Sequence, residues 1–211
     1  LLKNKVFAVA GDTSQPQLGM DAETIQDLQG RVDVVINSAA VVSFDAPLNE
    51  ALEMNTLSAS RVSEFANACK GALLVHVSTA FVCGVNKKVA PETIYHTATP
   101  EEASEPYPPG KFGDIDREIK QLKEMIGRAQ KEARSPAVDR QLKEALLKRF
   151  RKSGRGGRNS RRREKIENLR EKWVSSRLAR EGLAWARKRG WNDTYTYTKA
   201  MGEQMVLKTR S

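Results

Sequence analysis

Tyr195-Thr-Tyr-Thr-Lys199 sets a phenol four residues ahead of an ammonium. On a helix, residues at that spacing share a face. A cation beside a phenol favours phenolate and brings the tyrosine pKa down from about 10 toward neutral pH. Such a phenol can pass a proton to a carbonyl oxygen as hydride arrives on the carbonyl carbon. The spacing alone is weakly specific. With 4 Tyr and 17 Lys in 211 residues, chance supplies about 0.3 occurrences. A second copy is present, Tyr107-Pro-Pro-Gly-Lys111. Its two prolines and glycine forbid a helix, so its two side chains are not held on one face. Tyr195 opens a helical stretch with Asn192 or Asp193 as cap.

Two other short stretches bear on the same chemistry. In Val77-Ser-Thr-Ala-Phe-Val82 a hydroxyl at a strand exit could donate to a carbonyl in the same crevice. Taken alone, Ser78 and Thr79 read more readily as groups that satisfy backbone there. In Asn37-Ser-Ala-Ala40, small residues at a strand's carboxyl edge admit either a flat ligand or a tightly packed helix. His76 and His96 have no partnered carboxylates or cysteines in sequence and read as structural, so no metal site is expected.

The elements that would position these groups alternate. Lys5–Ala10 reads as a buried strand, Val32–Asn37 as a short β-branched run typical of a parallel sheet buried on both faces, and Ala72–Val77 as a third strand. Asn49–Cys69 reads as a helix with Leu52, Leu57, Val62, Phe65 and Ala66 on one side, and Thr194–Leu207 as another. Strand, helix, strand, helix with short connections implies a parallel α/β sheet.

Composition divides the chain. Of 211 residues, 39% are hydrophobic and 29% charged, at a net +10. That suits one domain, or one domain with a large insertion. Residues 111–190 hold 26 Lys/Arg against 11 Asp/Glu, a balance of +15, and the remainder stands at −5. The basic part has three helical stripes: Ile115, Ile119, Leu122, Ile126 and Ala129; Val138, Leu142, Ala145 and Leu146; then Ile166, Leu169, Trp173 and Leu183. Between the last two, Lys152–Arg163 has no apolar residue and is expected to be a mobile loop. No run approaches the ~20 apolar residues of a membrane span. Cys69 and Cys83 read as small buried thiols of a reducing cytoplasm.

The order of the motifs is more specific than any one of them. Strand-Gly-Asp, strand-Asn-x-Ala-Ala, Met54-Asn-Thr56, strand-Ser-Thr-Ala and Tyr-x-x-x-Lys together resemble the extended short-chain dehydrogenase/reductase family. Ala10-Gly-Asp-Thr-Ser14, Ile36–Phe44, Val77–Phe81 and Asn192–Ala200 resemble its fatty acyl-CoA reductase branch, the male-sterility or thioester-reductase type. The resemblance covers residues 5–100 and 190–208; the basic middle has no diagnostic motif.

The resemblance implies a Rossmann-like doubly wound parallel sheet. Residues 1–110 would be the central part of an NAD(P)-binding domain, 111–190 a basic helical insertion, and 191–211 the catalytic helix. Thr79, with Ser78 as alternative, would be the catalytic hydroxyl and Tyr195 the acid. Lys199 would bind the nicotinamide ribose and depress the tyrosine pKa. Asp12 would bond the adenine amine, while Ser38, Ala39 and Ala40 would line the cofactor. Asn55 falls where the family has an asparagine that supports the active-site helix, and it is counted with the cofactor site. The implied cofactor is NADPH and the implied reaction reduces long-chain acyl-CoA to aldehyde and then alcohol. The close alternative releases an aldehyde from a carrier-protein thioester.

One departure is large. The family's Gly-x-x-Gly-x-x-Gly turn, whose amides hold pyrophosphate at a helix N-terminus, does not occur; Gly154-Arg-Gly-Gly157 follows no strand. The chain is therefore expected to be a fragment, truncated at both ends of the fold and inactive alone. The +15 segment motivates a reading of another class, a nucleic-acid-binding module. No binding motif accompanies it, and Trp173, Trp185 and Trp191 fit packing roles. A third role is attraction of the coenzyme A phosphates or of an anionic membrane surface, so the expected location is cytoplasmic or membrane-associated.

Overall fold

A computed structural model describes residues 5–85, 113–153 and 159–210. Tyr107, Lys111, His96 and Gly154–Gly157 lie outside them. The helix α1 (Ala22–Gln29) starts at Asp21, whose carboxylate accepts the Thr24 N–H at 2.8 Å. Strand β1 (Val34–Asn37) pairs in parallel with β2 (Leu73–His76), with Val34 opposite Leu73 and Asn37 opposite His76.

This pair is the whole sheet among the described residues. The fuller doubly wound sheet is not seen there, and residues 5–10 form no ladder. A strand exists through its neighbour, and no described segment lies beside Val6–Ala10. The expectation that Val32–Asn37 is buried on both faces also fails. Ile36 is 66% and Leu73 59% exposed, and they share one open face with Val34 and Val75. The opposite face, Val35, Asn37, Leu74 and His76, is the covered one.

The crossover from β1 to β2 is one helical run with a fault. The α2 helix (Leu48–Ala51) passes into a π-helical turn at Leu52–Leu57, then into α3 (Ser58–Ala68). The π turn inserts an extra residue per turn and re-aims the side chains it carries. Its buried residues are Leu52, Asn55 and Thr56. The α3 face is made of small residues, Ser58, Ala59, Ser63 and Ala66, so a neighbour can approach closely.

The basic segment folds as α4 (Ile115–Glu132), α5 (Pro136–Ser153) and α6 (Asn159–Lys188). Asp114 caps α4 by accepting the Asp116 and Arg117 N–H groups at 2.8 and 3.2 Å. Ser135 and Pro136 start α5, with proline at the first position, where its missing N–H costs nothing. The Lys152–Arg163 loop is corrected: Lys152 and Ser153 end α5, and residues 159–163 already belong to α6. Arginine is a good helix former, and a helix need not bury every turn.

Helices α4 and α6 of the basic segment share the core of the rest of the chain, while Val138, Leu142 and Leu146 of α5 are buried outside that cluster. Ile115, Ile119, Leu122 and Met125 of α4 and Leu178 and Ala186 of α6 join Leu48, Leu52 and Val82 in one cluster. Trp191, Tyr197, Ala200 and Met201 complete it, the last three on α7 (Thr194–Arg210). Each leucine-sized side chain buried there contributes about 1.5–3 kcal/mol. Cys69 is buried, and Cys83 is only half-buried, against the expectation of two buried thiols. No helix among the described residues is long and apolar enough to cross a membrane.

Candidate active site

The site is assembled on α7. Asp193 caps it, its carboxylate accepting the Thr196 N–H at 2.8 Å. Tyr195 and Lys199 stand one turn apart on one face, and Tyr197 points to the other, into the core. Lys199 is 2% exposed and its Nζ donates to the Val77 carbonyl at 2.6 Å. That bond fastens α7 to the carboxyl end of β2, where Ser78 and Thr79 follow. The Thr79 hydroxyl is half-buried and accepts the Phe81 N–H at 3.4 Å, capping a short 3-10 turn at Ala80–Cys83. Ser78 Oγ is buried without a well-formed hydrogen bond and faces the Glu203 carboxyl. Tyr195 is half-buried, with the exposed Phe44 ring set edge-on to it at 5.8 Å and 78°.

Asn55, on the π turn, joins the β1 exit to α7. Its Oδ1 accepts the Val41 N–H at 2.8 Å, and its Nδ2 donates to Val41 O at 3.1 Å and to Thr198 Oγ1 at 3.0 Å. Thr56 Oγ1 adds a bond to Thr198 O at 2.9 Å. The amide of Asn55 is thus turned to protein partners, and it sets the Ser38–Ala40 segment at the β1 exit. Ser38 and Ala39 are exposed there and Ala40 is half-buried.

Asp12 stands on a separate loop. The Ser14 hydroxyl, and then the Ser14 N–H that donates to it at 2.8 Å, hold the Asp12 carboxylate below the usual carboxylate range. Gln17, Leu18 and Gly19 all take left-handed φ, coiling the chain back so that Leu18 O accepts the Asp12 N–H at 2.7 Å. Strain of that kind in non-glycine residues persists only where neighbours impose it. Arg61 of α3 supplies one restraint by donating to Thr13 O at 3.1 Å and to Glu53 at 2.6 Å. The structure thus joins Lys199 to the Val77 carbonyl just before Ser78–Thr79, and Asn55 to both α7 and Val41, just past Ser38–Ala40. Asp12 makes no described hydrogen bond to that group.

Burial lowers the Lys199 pKa, and Glu203 one turn on pulls it back up. Burial raises the Glu203 carboxyl, offset by Ser78 and Lys199. The His76 ring is pushed down to about 4, by burial first and then by the Lys199 charge. Asn37 Nδ2 lies 3.1 Å from His76 Nδ1. With the amide as donor, Nδ1 accepts and Nε2 keeps the proton. Between pH 6.5 and 4 the unfolded chain takes up a proton at His76 that the fold refuses. Stability therefore falls as pH falls through that window. His76→Gln in the full-length protein should flatten this dependence by about 1–2 kcal/mol, a figure reduced for partial solvent screening. Urea midpoints at pH 7 and pH 5 measure it; an unchanged difference between the two midpoints would contradict the buried neutral ring.

A family model described as male sterility protein, an NAD-binding domain, matches residues 1–211. The chain belongs to the male sterility protein family. Among curated relatives of this male-sterility domain, fatty acyl-CoA reductase 8 of Arabidopsis thaliana is 30% identical over 208 residues, 98% of the chain and 34% of the relative. Fatty acyl-CoA reductase 1 of the same plant is 29% identical over 212 residues, 100% and 34% of the two chains. An alcohol-forming fatty acyl-CoA reductase of Simmondsia chinensis is 27% identical over 210 residues, 98% and 34%. The chain spans about a third of the length of these relatives.

Membership gives the male-sterility domain a Rossmann-like fold and a nicotinamide cofactor. The residues present fit that group. Dinucleotides bind outside the carboxyl ends of parallel strands, and β1 and β2 end together at Asn37 and His76. At that edge His76 Nε2 and Ser78 Oγ are buried polar atoms without well-formed partners, beside a buried ammonium. Motif reading missed Glu203 at this edge and Glu118 on the Tyr197 side of α7. Glu118 left a signal, a carboxylate in the i+3 place of the apolar stripe Ile115, Ile119, Leu122, and Phe44 closes the Ile36–Phe44 stretch.

Proposed function

We propose that this domain belongs to an NADPH-dependent reductase that takes long-chain fatty acyl-CoA to aldehyde and then alcohol. The observation that carries the reading is the capped helix α7, with Tyr195 and Lys199 on one face and Lys199 fastened to the strand exit bearing Ser78 and Thr79. The names of the relatives support the substrate class.

A reduced nicotinamide bound here would supply hydride to the thioester carbonyl carbon; the resulting hemithioacetal loses its hydroxyl proton as its C–S bond breaks, releasing coenzyme A as the thiol and leaving the aldehyde, and a second reduced nicotinamide would supply the hydride that makes the alcohol. Lys199 would hold the cofactor ribose, Ser38, Ala39 and Ala40 would line its path, and Asp12 would take the adenine amine. Tyr195 gives its phenolic proton to the carbonyl oxygen as negative charge grows there. Thr79 donates a hydrogen bond to the same oxygen and stabilises the developing charge. Asn55 keeps the β1 exit and α7 in register without touching the reacting atoms. The exposed Phe44 ring beside half-buried Tyr195 offers an apolar approach to an acyl chain. The basic helices α5 and α6 offer a surface to the coenzyme A phosphates or to anionic lipid.

The test uses the purified full-length protein, with nicotinamide oxidation followed spectrally and products separated by gas chromatography. NADPH with a long-chain acyl-CoA should yield fatty alcohol, faster than NADH does. Turnover only of a carrier-protein thioester, ending at the aldehyde, would move the assignment to the thioester reductases. Inertness toward both thioesters would end it.

A further inference from the structure

Behind α7, on the side away from Tyr195, four polar side chains meet in the core. Glu118 of α4 is 6% exposed and Arg189, just past α6, is 5% exposed. Arg189 grips both carboxylate oxygens, Nε to Oε1 and Nη2 to Oε2, each at 2.9 Å. The Tyr197 hydroxyl donates to Oε1 at 2.5 Å and Trp185 Nε1 donates to the same oxygen at 2.7 Å. Trp185 Nε1 also lies 3.1 Å from the Tyr197 hydroxyl, and the Arg189 guanidinium sits 4.8 Å over the Trp185 ring. Gln121 accepts from Arg189 Nη2 at 3.2 Å. Burial and the neighbouring Glu118 charge raise the Tyr197 pKa, so its hydroxyl stays a donor. Nearer the end of α7, Lys208 pairs with Asp116 of α4.

We propose that Glu118 is a positioning residue for the reaction: by gathering Tyr197, Trp185 and Arg189 on one carboxylate, it sets the rotation of α7 and so the aim of Tyr195. Stability alone is a poor reason for such a group, because well-packed apolar residues often stabilise as much as a buried ion pair. What the carboxylate supplies is direction. Tyr197 is two residues from both Tyr195 and Lys199, on the far side of α7, so fixing it fixes them. A helix with its side chains is about 5–6 Å in radius. A rotation of about 10° therefore moves a side-chain tip by about 1 Å, and an error of that size costs on the order of 10² in rate. The basic segment then acts on the chemistry through α4, whatever its surface binds.

The inference rests on Tyr195 as proton donor, and a double-mutant cycle in the full-length protein separates the two ideas. Tyr197→Phe removes one donor and leaves the Glu118–Arg189 pair intact. It should lower kcat about 10–100-fold with KM for acyl-CoA changed less than about 3-fold. In a Tyr195→Phe background the same change should cost less than about 3-fold, because no aimed proton remains to be lost. Glu118→Gln should follow the same pattern; if it fails to fold, with Arg189 left unpaired, Tyr197→Phe decides alone. Equal losses in both backgrounds, or no loss in either, overturn the positioning role and leave the proton-donor reading standing. Full turnover by Tyr195→Phe overturns both.

Discussion

Tyr195→Phe in the full-length protein lowers turnover by about 10²–10⁴, the usual worth of a positioned general acid, whereas Tyr107→Phe leaves it unchanged. The two tyrosines have the same lysine spacing, so a motif search ranks them equally. The physical settings differ. Tyr195 begins a helix capped by Asp193, and Lys199 on its next turn is held by the Val77 carbonyl. Tyr107 precedes two prolines and a glycine, which cannot hold Lys111 beside it. Cofactor affinity should change little in Tyr195→Phe, because the ring and its edge contact with Phe44 remain. Lys199→Ala should lower both turnover and cofactor affinity, since it also releases the strand exit. The measurement is steady-state NADPH oxidation with an acyl-CoA across these variants. If Tyr107→Phe abolishes turnover while Tyr195→Phe keeps it, the catalytic assignment is wrong.

The contrast shows what local pattern can carry. Helices α4 and α5 and both strands are legible because each bears an apolar stripe or a short apolar run of its own, and α7 because cap candidates precede its Tyr-x-x-x-Lys spacing. The face shared by Tyr195 and Lys199 follows from spacing alone, whereas the cap, open between Asn192 and Asp193 in sequence, is Asp193 in the structure. Residues 5–10 are different: they have strand composition, but a ladder needs a neighbour, and composition does not reveal one. Lys152–Arg163 fails for the opposite reason, since a helix tip can be wholly polar and still be a helix. The π turn at Leu52–Leu57 leaves no trace in a 3.6-residue pattern. Glu118 sits in an apolar stripe, yet sequence does not distinguish a solvated carboxylate from one gripped by Arg189 seventy-one positions on. The division at Lys111 and Gly190 is plain in charge, while the core crosses both boundaries.

Gly202→Ala is expected to be the most damaging small substitution in α7, because a methyl group there has nowhere to go. A Cβ at Gly202 would lie 2.3 Å from the Asn55 carbonyl oxygen and 3.4 Å from its carbon, both backbone atoms of the π turn. A rotamer change cannot relieve that contact, so α7 must retreat by roughly 1 Å, toward an ordinary van der Waals separation. The retreat stretches the bonds that Asn55 and Thr56 make to Thr198 at 3.0 and 2.9 Å. Alanine gains about 1 kcal/mol of helix propensity over glycine. Against that stand about 1–3 kcal/mol of overpacking and a further 1–3 kcal/mol for each buried polar group left without its partner. With one such group left unpartnered the balance is a loss of about 1–5 kcal/mol, and turnover should fall on the order of 10² through displacement of Tyr195. Gly127 on α4 is the control: a Cβ there meets nothing within 4 Å, so Gly127→Ala should stabilise by up to about 1 kcal/mol. Urea unfolding of the full-length protein, followed by circular dichroism, compares the two. The same substitution should have opposite signs at the two sites. A stabilised Gly202→Ala with normal turnover would show that α7 and the π turn do not meet this closely, and that Asn55 does not set the position of the catalytic helix.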